Sequence, residues 1–101
     1  DPNNPNNYRA FAARYKTRYG QEPARTATLS YDAVALVAAL VKTQGPRGLN
    51  NDVLTNTSGF AGIDGVFRFR PEGTNQRGLA VMRVTPQGGQ VIAPAPKTFG
   101  N

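Results

Sequence analysis

The chain has 101 residues, 39% of them hydrophobic, and its 12 basic and 6 acidic side chains give a formal net charge of +6. It contains no cysteine, histidine or tryptophan, which excludes a thiolate nucleophile, a disulfide framework and His- or Cys-based metal sites within it. That length fits one domain burying roughly 60–70% of its unfolded surface, and 11 Gly with 8 Pro point to long irregular stretches. The positive charges are scattered. Only Arg14, Lys16 and Arg18 crowd together, while Arg68, Arg70, Arg77 and Arg83 spread over strands and a turn. Solvated faces account for that distribution better than a nucleic-acid interface does.

The opening Asp1-Pro2-Asn3-Asn4-Pro5-Asn6-Asn7 reads as a loop entering a helix, and predicts that sequence ahead of it has been removed. A first helix is expected from about Asn7 to Tyr19, capped by Asn6 or Asn7 and ended by Gly20. Tyr8, Phe11, Ala12, Tyr15 and Tyr19 form one stripe, flanked by Arg9, Lys16, Arg14 and Arg18. An aromatic stripe among cations can stack on single-stranded nucleic acid. The core face of an amphipathic helix edged by snorkelling cations explains it more simply. After a connector broken by Pro23, Leu29 to Val41 is apolar on nearly every side. Leu29, Ala33, Leu36 and Leu40 share one face, and Val34, Val37 and Val41 another. Such a helix is buried by several neighbours or spans a membrane, and Ala33 to Val41 is about half the ~18–20 residues a bilayer needs. It calls for a thicker protein environment than this chain supplies.

Thr28 or Ser30 is expected to cap that helix, with Asp32 in its first turn where the dipole favours negative charge. Gly45-Pro46 ends it, and a short helical turn follows around Asp52-Val53-Leu54. From Ser58 the pattern changes. Gly59, Gly62 and Gly65 recur every three residues, and Val66 to Arg70 alternates with Phe67 and Phe69 on one face. Pro71-Glu72-Gly73-Thr74 is a turn, Leu79–Thr85 a strand, Pro86–Gly89 a turn, Gln90–Ala93 a short strand, and Pro94–Phe99 an extended tail.

The glycines do not form a dinucleotide loop, which needs closely set glycines after a strand and before a helix. Sharp bends where backbone passes close to backbone explain them. The carboxylates form no near-sequence pair, and Ser30 and Ser58 have no histidine to activate them. Asp32 beside Tyr31 is placed either to touch a ligand or to serve the helix terminus. Nothing here points to an enzyme, a metal or another cofactor.

Three motifs carry a resemblance. Phe11-Ala12-Ala13-Arg14-Tyr15-Lys16-Thr17-Arg18-Tyr19-Gly20-Gln21-Glu22-Pro23 resembles the Tyr-Gly-x-x-Pro helix found late in type I periplasmic solute-binding proteins. Ser30-Tyr31-Asp32-Ala33-Val34 is similar to that family's following Tyr-Asp-Ala helix, and Gly59-Phe60-Ala61-Gly62-Ile63-Asp64-Gly65 to its later Gly-Phe-x-Gly-x-x-Gly segment. The ending from Arg77 to Phe99 resembles a branch labelled branched-chain amino-acid receptor-like or penicillin-binding protein activator-like. The resemblance implies a two-lobed α/β parent closing on a ligand, of which residues 1–101 are the C-terminal segment. Residues 1–57 would be the helical part covering lobe one, and residues 58–101 the glycine-rich crossover and strands.

Taken alone, the chain reads as α+β, two main helices followed by two to three antiparallel strands. The function implied is a periplasmic or envelope-associated receptor capturing a small polar ligand, an amino acid, for an ABC importer and its permease. Tyr31 is the ligand-binding position carried over, and Gly59, Phe60, Gly62 and Gly65 are the hinge or crossover positions. Nucleic acid and a transmembrane segment are not expected, whereas self-association of the fragment is. Two alternatives stand beside this: an envelope lipoprotein scaffold regulating a peptidoglycan synthase, and a freestanding small basic binding domain.

Overall fold

Two helices lead and two small antiparallel sheets follow in the computed structural model, which describes residues 5–99. The expected loop at Asp1–Asn4 lies outside these residues. Helix α1 runs Pro5–Tyr19, so Asn6 and Asn7 lie within its first turn rather than capping it. Proline suits that opening position because its missing N–H has no partner to lose. Gly20 ends the helix at φ +78°, its N–H donating to the Lys16 carbonyl at 2.7 Å. Along the aromatic stripe, ring centroids follow one another at 6.3, 6.1 and 4.7 Å from Tyr8 through Phe11 and Tyr15 to Tyr19. Only Phe11 of these is buried.

Helix α2 runs Ala27–Gln44 and ends at Gly45, φ +75°. It starts before either expected cap, and Thr26 precedes it without a side-chain capping bond. A 3-10 turn at Pro46–Gly48 follows, then α3, Asn51–Leu54, where the Asn50 carboxamide accepts the Val53 N–H at 3.0 Å. The inward side of α2 carries Thr28, Asp32 and Leu40. The flank with Val34, Val37 and Val41 stays exposed, Val34 at 70%.

Among the described residues five strands form where two to three are expected. Strands β1 (Phe60–Gly62), β2 (Gly65–Phe69) and β3 (Asn75–Arg77) pair in that order. The β1–β2 register closes Gly62 against Gly65 over the two-residue loop Ile63-Asp64. Pro71–Thr74 makes the expected turn, with Gly73 N–H on Arg70 O at 2.9 Å and Arg70 N–H on Thr74 O at 2.8 Å. Strands β4 (Val81–Thr85) and β5 (Gly88–Ala93) form a separate two-stranded ribbon. It leaves Val84 94% exposed.

Phe67 and Phe69 share a face as the alternation predicts, 5.8 Å apart. Arg68 points the other way, its Nε and Nη2 donating to Gln76 Oε1 and its Nη1 to Thr57 O. Its guanidinium lies 4.4 Å from the Phe99 ring, which fastens the tail. Among the described residues the buried apolar ones are Phe11, Leu40, Ile63, Val66, Phe67 and Ala95. That is a thin core, and the radius of gyration of 15.3 Å exceeds the ~13 Å of a compact 100-residue domain. The elements lie side by side more than they enclose one another.

Candidate functional site

The most ordered polar arrangement joins α2 to the β1–β2 turn. Asp32 sits in the second turn of α2, 4% exposed, and reaches across to the hairpin. Its Oδ1 accepts the Ile63 N–H at 2.8 Å and its Oδ2 the Asp64 N–H at 3.4 Å. A two-residue loop leaves amides without ladder partners, and a buried amide demands an acceptor. Asp32 therefore caps a turn 31 residues away, where the sequence pointed to its own helix terminus. A Cβ at Gly62 would collide with this carboxylate, so glycine is what admits the contact.

Asp64, the second loop residue, completes the arrangement from the other side. Arg25 grips it in a fork, Nη1 to Oδ2 at 3.1 Å and Nη2 to Oδ1 at 2.6 Å. The Thr28 hydroxyl, fully buried, also donates to Asp64 Oδ2. Arg25 in turn lies over the Tyr8 ring at 4.9 Å, which ties α1 to the same cluster. Partial burial pushes the Asp64 carboxyl up. The hydrogen bonds from Arg25 and Thr28 and the Arg25 charge outweigh that and leave it below the ordinary 3.8. The same bond to Asp64 raises Arg25 above its usual value, with burial acting in opposition.

Arg25 and Asp64 lie 39 residues apart, and the sequence reading singled out neither. The Asp64-Gly65 dipeptide was the available signal, since Asp-Gly marks a turn, here with Ile63-Asp64 as its two loop residues. The other signal was Asp32 itself. An acid inside an apolar helix run needs a partner wherever the helix is buried.

The structure places Tyr31 against α1, with its ring edge-on to Phe11 at 5.1 Å and its hydroxyl 3.4 Å from Arg14 Nη2. Its neighbour Asp32 faces the glycine segment, so Tyr31 and the hinge candidates are on different sides of α2. Gly59 has φ +72°, and a Cβ there would collide with the Phe67 carbonyl oxygen. Gly65 has φ +97° at the hairpin closure. Phe60 stacks on Phe67 at 5.9 Å across the strand pair. Gly59 thus serves close backbone passage, Gly62 admits the Asp32 carboxylate, Gly65 supplies the positive φ of the closure, and Phe60 contributes packing.

Beside this cluster, a groove of about 490 Å³ runs between α2 and the hairpin, walled by Ala35, Leu36, Ala39, Phe60 and Phe67. Among the described residues no group of three or more acidic side chains is placed to hold a metal ion. No described helix is long and apolar enough to cross a membrane. Comparison with protein-family models, curated protein sequences and solved structures found no match for this chain.

Proposed function

We propose that this chain is the C-terminal portion of a type I periplasmic solute-binding protein, whose whole captures a small polar ligand, an amino acid, for an ABC importer. The observation that carries the reading is the uncovered flank of α2. Val34, Val37 and Val41 are all more than a third exposed on a helix whose composition is that of a buried one. The groove along Ala35 and Ala39 supports it too, because small side chains there let another element approach closely. In such a protein that element is the sheet of lobe one. Ligand capture is then a population shift between open and closed lobes, driven by contacts made only on closure. The chain alone lacks the upstream strands that hold an amino acid's ammonium and carboxylate in this family, so it binds that ligand poorly.

Light scattering after size exclusion, over a dilution series, tests the reading. A dimer or larger species persisting on dilution is expected, with another copy covering the α2 flank. Replacing Val34 and Val37 by lysine dissolves it while leaving helix content intact. A compact monomer at every concentration would overturn the reading and favour a freestanding domain.

A further inference from the structure

Strand β1 is the outer strand of its sheet, with β2 on one side and an open edge on the other. Along an antiparallel ladder, each residue turns its N–H and C=O to the same side, and successive residues alternate. The Val66 carbonyl accepts the Gly78 N–H at 2.9 Å on the β3 side, so Val66 exchanges no bond with Ala61 opposite it. Ala61 therefore turns its own N–H and C=O to the open edge. It is exposed, and among the described residues neither group has a partner. Such an edge is a template for another strand.

The groove beside α2 runs along this edge. Residues 59–62 line it consecutively, so one wall is the strand itself and not a single face of it. Ala35, Leu36 and Ala39 form the helical wall, and their small size leaves about 490 Å³ between helix and strand. An extended segment suits both walls: its backbone answers the edge, and its alternate side chains enter the apolar recess. The charges along the helical wall differ at its two ends. Asp32, at one end, is buried and committed to the Ile63 and Asp64 amides. Lys42, about one turn beyond Ala39 at the other end, is exposed and has no acidic partner among the described residues. With a net charge of +6 on the chain, an acidic segment is the one its field draws in.

We infer that β1 and α2 together hold one extended acidic segment by strand addition. The segment's backbone donates to the Ala61 carbonyl and accepts the Ala61 N–H, an apolar side chain enters the recess beside Ala35 and Ala39, and a carboxylate meets Lys42. The inference narrows the solute-receptor reading at this groove from an approaching sheet to one extended strand of it, and rests on that reading for the strand's source.

The test is fluorescence polarisation of the fluorescein-tagged peptide Glu-Thr-Val-Thr-Val-Thr-Glu, titrated with the unaltered chain at low salt. Its order reads the same in either strand direction, so no orientation is assumed. Saturable binding is expected. Glu-Thr-Val-Pro-Val-Thr-Glu carries the same charge but lacks the central N–H and pairs poorly as a strand, and it should not bind. Ala61→Pro removes the edge donor at a position where no ladder bond uses it, and should weaken binding about fivefold, the scale of one hydrogen bond. Lys42→Glu is an exposed change that keeps the fold, and should weaken binding by about the same factor through charge. No saturable binding, equal binding of the proline peptide, or indifference to either substitution would each overturn the inference. The solute-receptor reading fails by a different result, a compact monomer in light scattering, which leaves peptide binding as it is.

Discussion

Asp32→Ala is the substitution whose consequence follows most directly from the geometry. The wild-type carboxylate is buried and accepts two loop amides, one at 2.8 Å and one at 3.4 Å. The short bond is charge-assisted and contributes about 1.5–3 kcal/mol, while the long one adds less. Alanine removes both and leaves the Ile63 amide buried without an acceptor, for a total loss of about 2–4 kcal/mol. In a domain of this size that lowers the thermal midpoint by about 10–20 °C. Asp32→Asn keeps one oxygen for Ile63 but turns an NH₂ toward the Asp64 amide, so it falls between alanine and wild type. Urea denaturation followed by far-UV circular dichroism measures the losses. Glu22→Ala is the reference, because the Glu22 pair with Lys16, 3.6 Å apart, is exposed on both sides and contributes little. If Asp32→Ala unfolds within about 0.5 kcal/mol of Glu22→Ala, the turn finds other acceptors and the capping account is wrong.

Three further outcomes follow. Asp64 titrates low when folded, so its contribution is complete above the ordinary 3.8 and is lost as pH falls through the lower folded value. Asp64→Asn should flatten that acid limb of stability, and a limb of unchanged steepness would show that other carboxylates dominate it. Gly59→Ala and Gly73→Ala separate two costs: both have positive φ, but only at Gly59 would a Cβ strike backbone, at the Phe67 carbonyl. Gly73→Ala should cost about 1–2 kcal/mol and Gly59→Ala distinctly more, read from denaturation midpoints; equal losses would discount the collision. Phe99→Ala removes the ring beneath Arg68. Faster amide exchange confined to residues 94–99 is expected, and unchanged exchange there would mean the tail is held by other contacts.

The features legible in the sequence were those encoded within one turn or one hairpin. Apolar spacing located α1 and α2, Gly20 and Gly45 marked their ends, and Pro71–Thr74 announced its turn. Strands β1 and β3 escaped because each has three residues, too few for a period, and Asn75-Gln76-Arg77 is wholly polar. Those strands exist through pairing with β2, a property of the partner. Asp32 shows the same limit more sharply. A helix position tells which way a side chain points, but not that an orphan amide from residue 63 waits there.

The cluster at Asp32 and the bare flank of α2 supply different things, and their magnitudes say which. Hydrogen bonds to Asp32 and Asp64 fix the angle and register of α2 against the hairpin, at a scale of about 2–4 kcal/mol. The flank holds Val34, Val37 and Val41, between 37% and 70% exposed. Covering them is worth about 1 kcal/mol each, or about 3 kcal/mol together, a large share of the ~5 kcal/mol at the lower end of a whole domain's stability. Polar contacts therefore aim the flank, and whatever covers it provides much of the energy. With a second copy as the cover, stability becomes linked to concentration. The thermal midpoint should rise several degrees over a hundredfold increase in protein, and the Val34 and Val37 lysine variant should lose that dependence. A midpoint independent of concentration would mean that the three valines gain nothing from a neighbour, and that the polar cluster and thin core sustain the fold unaided.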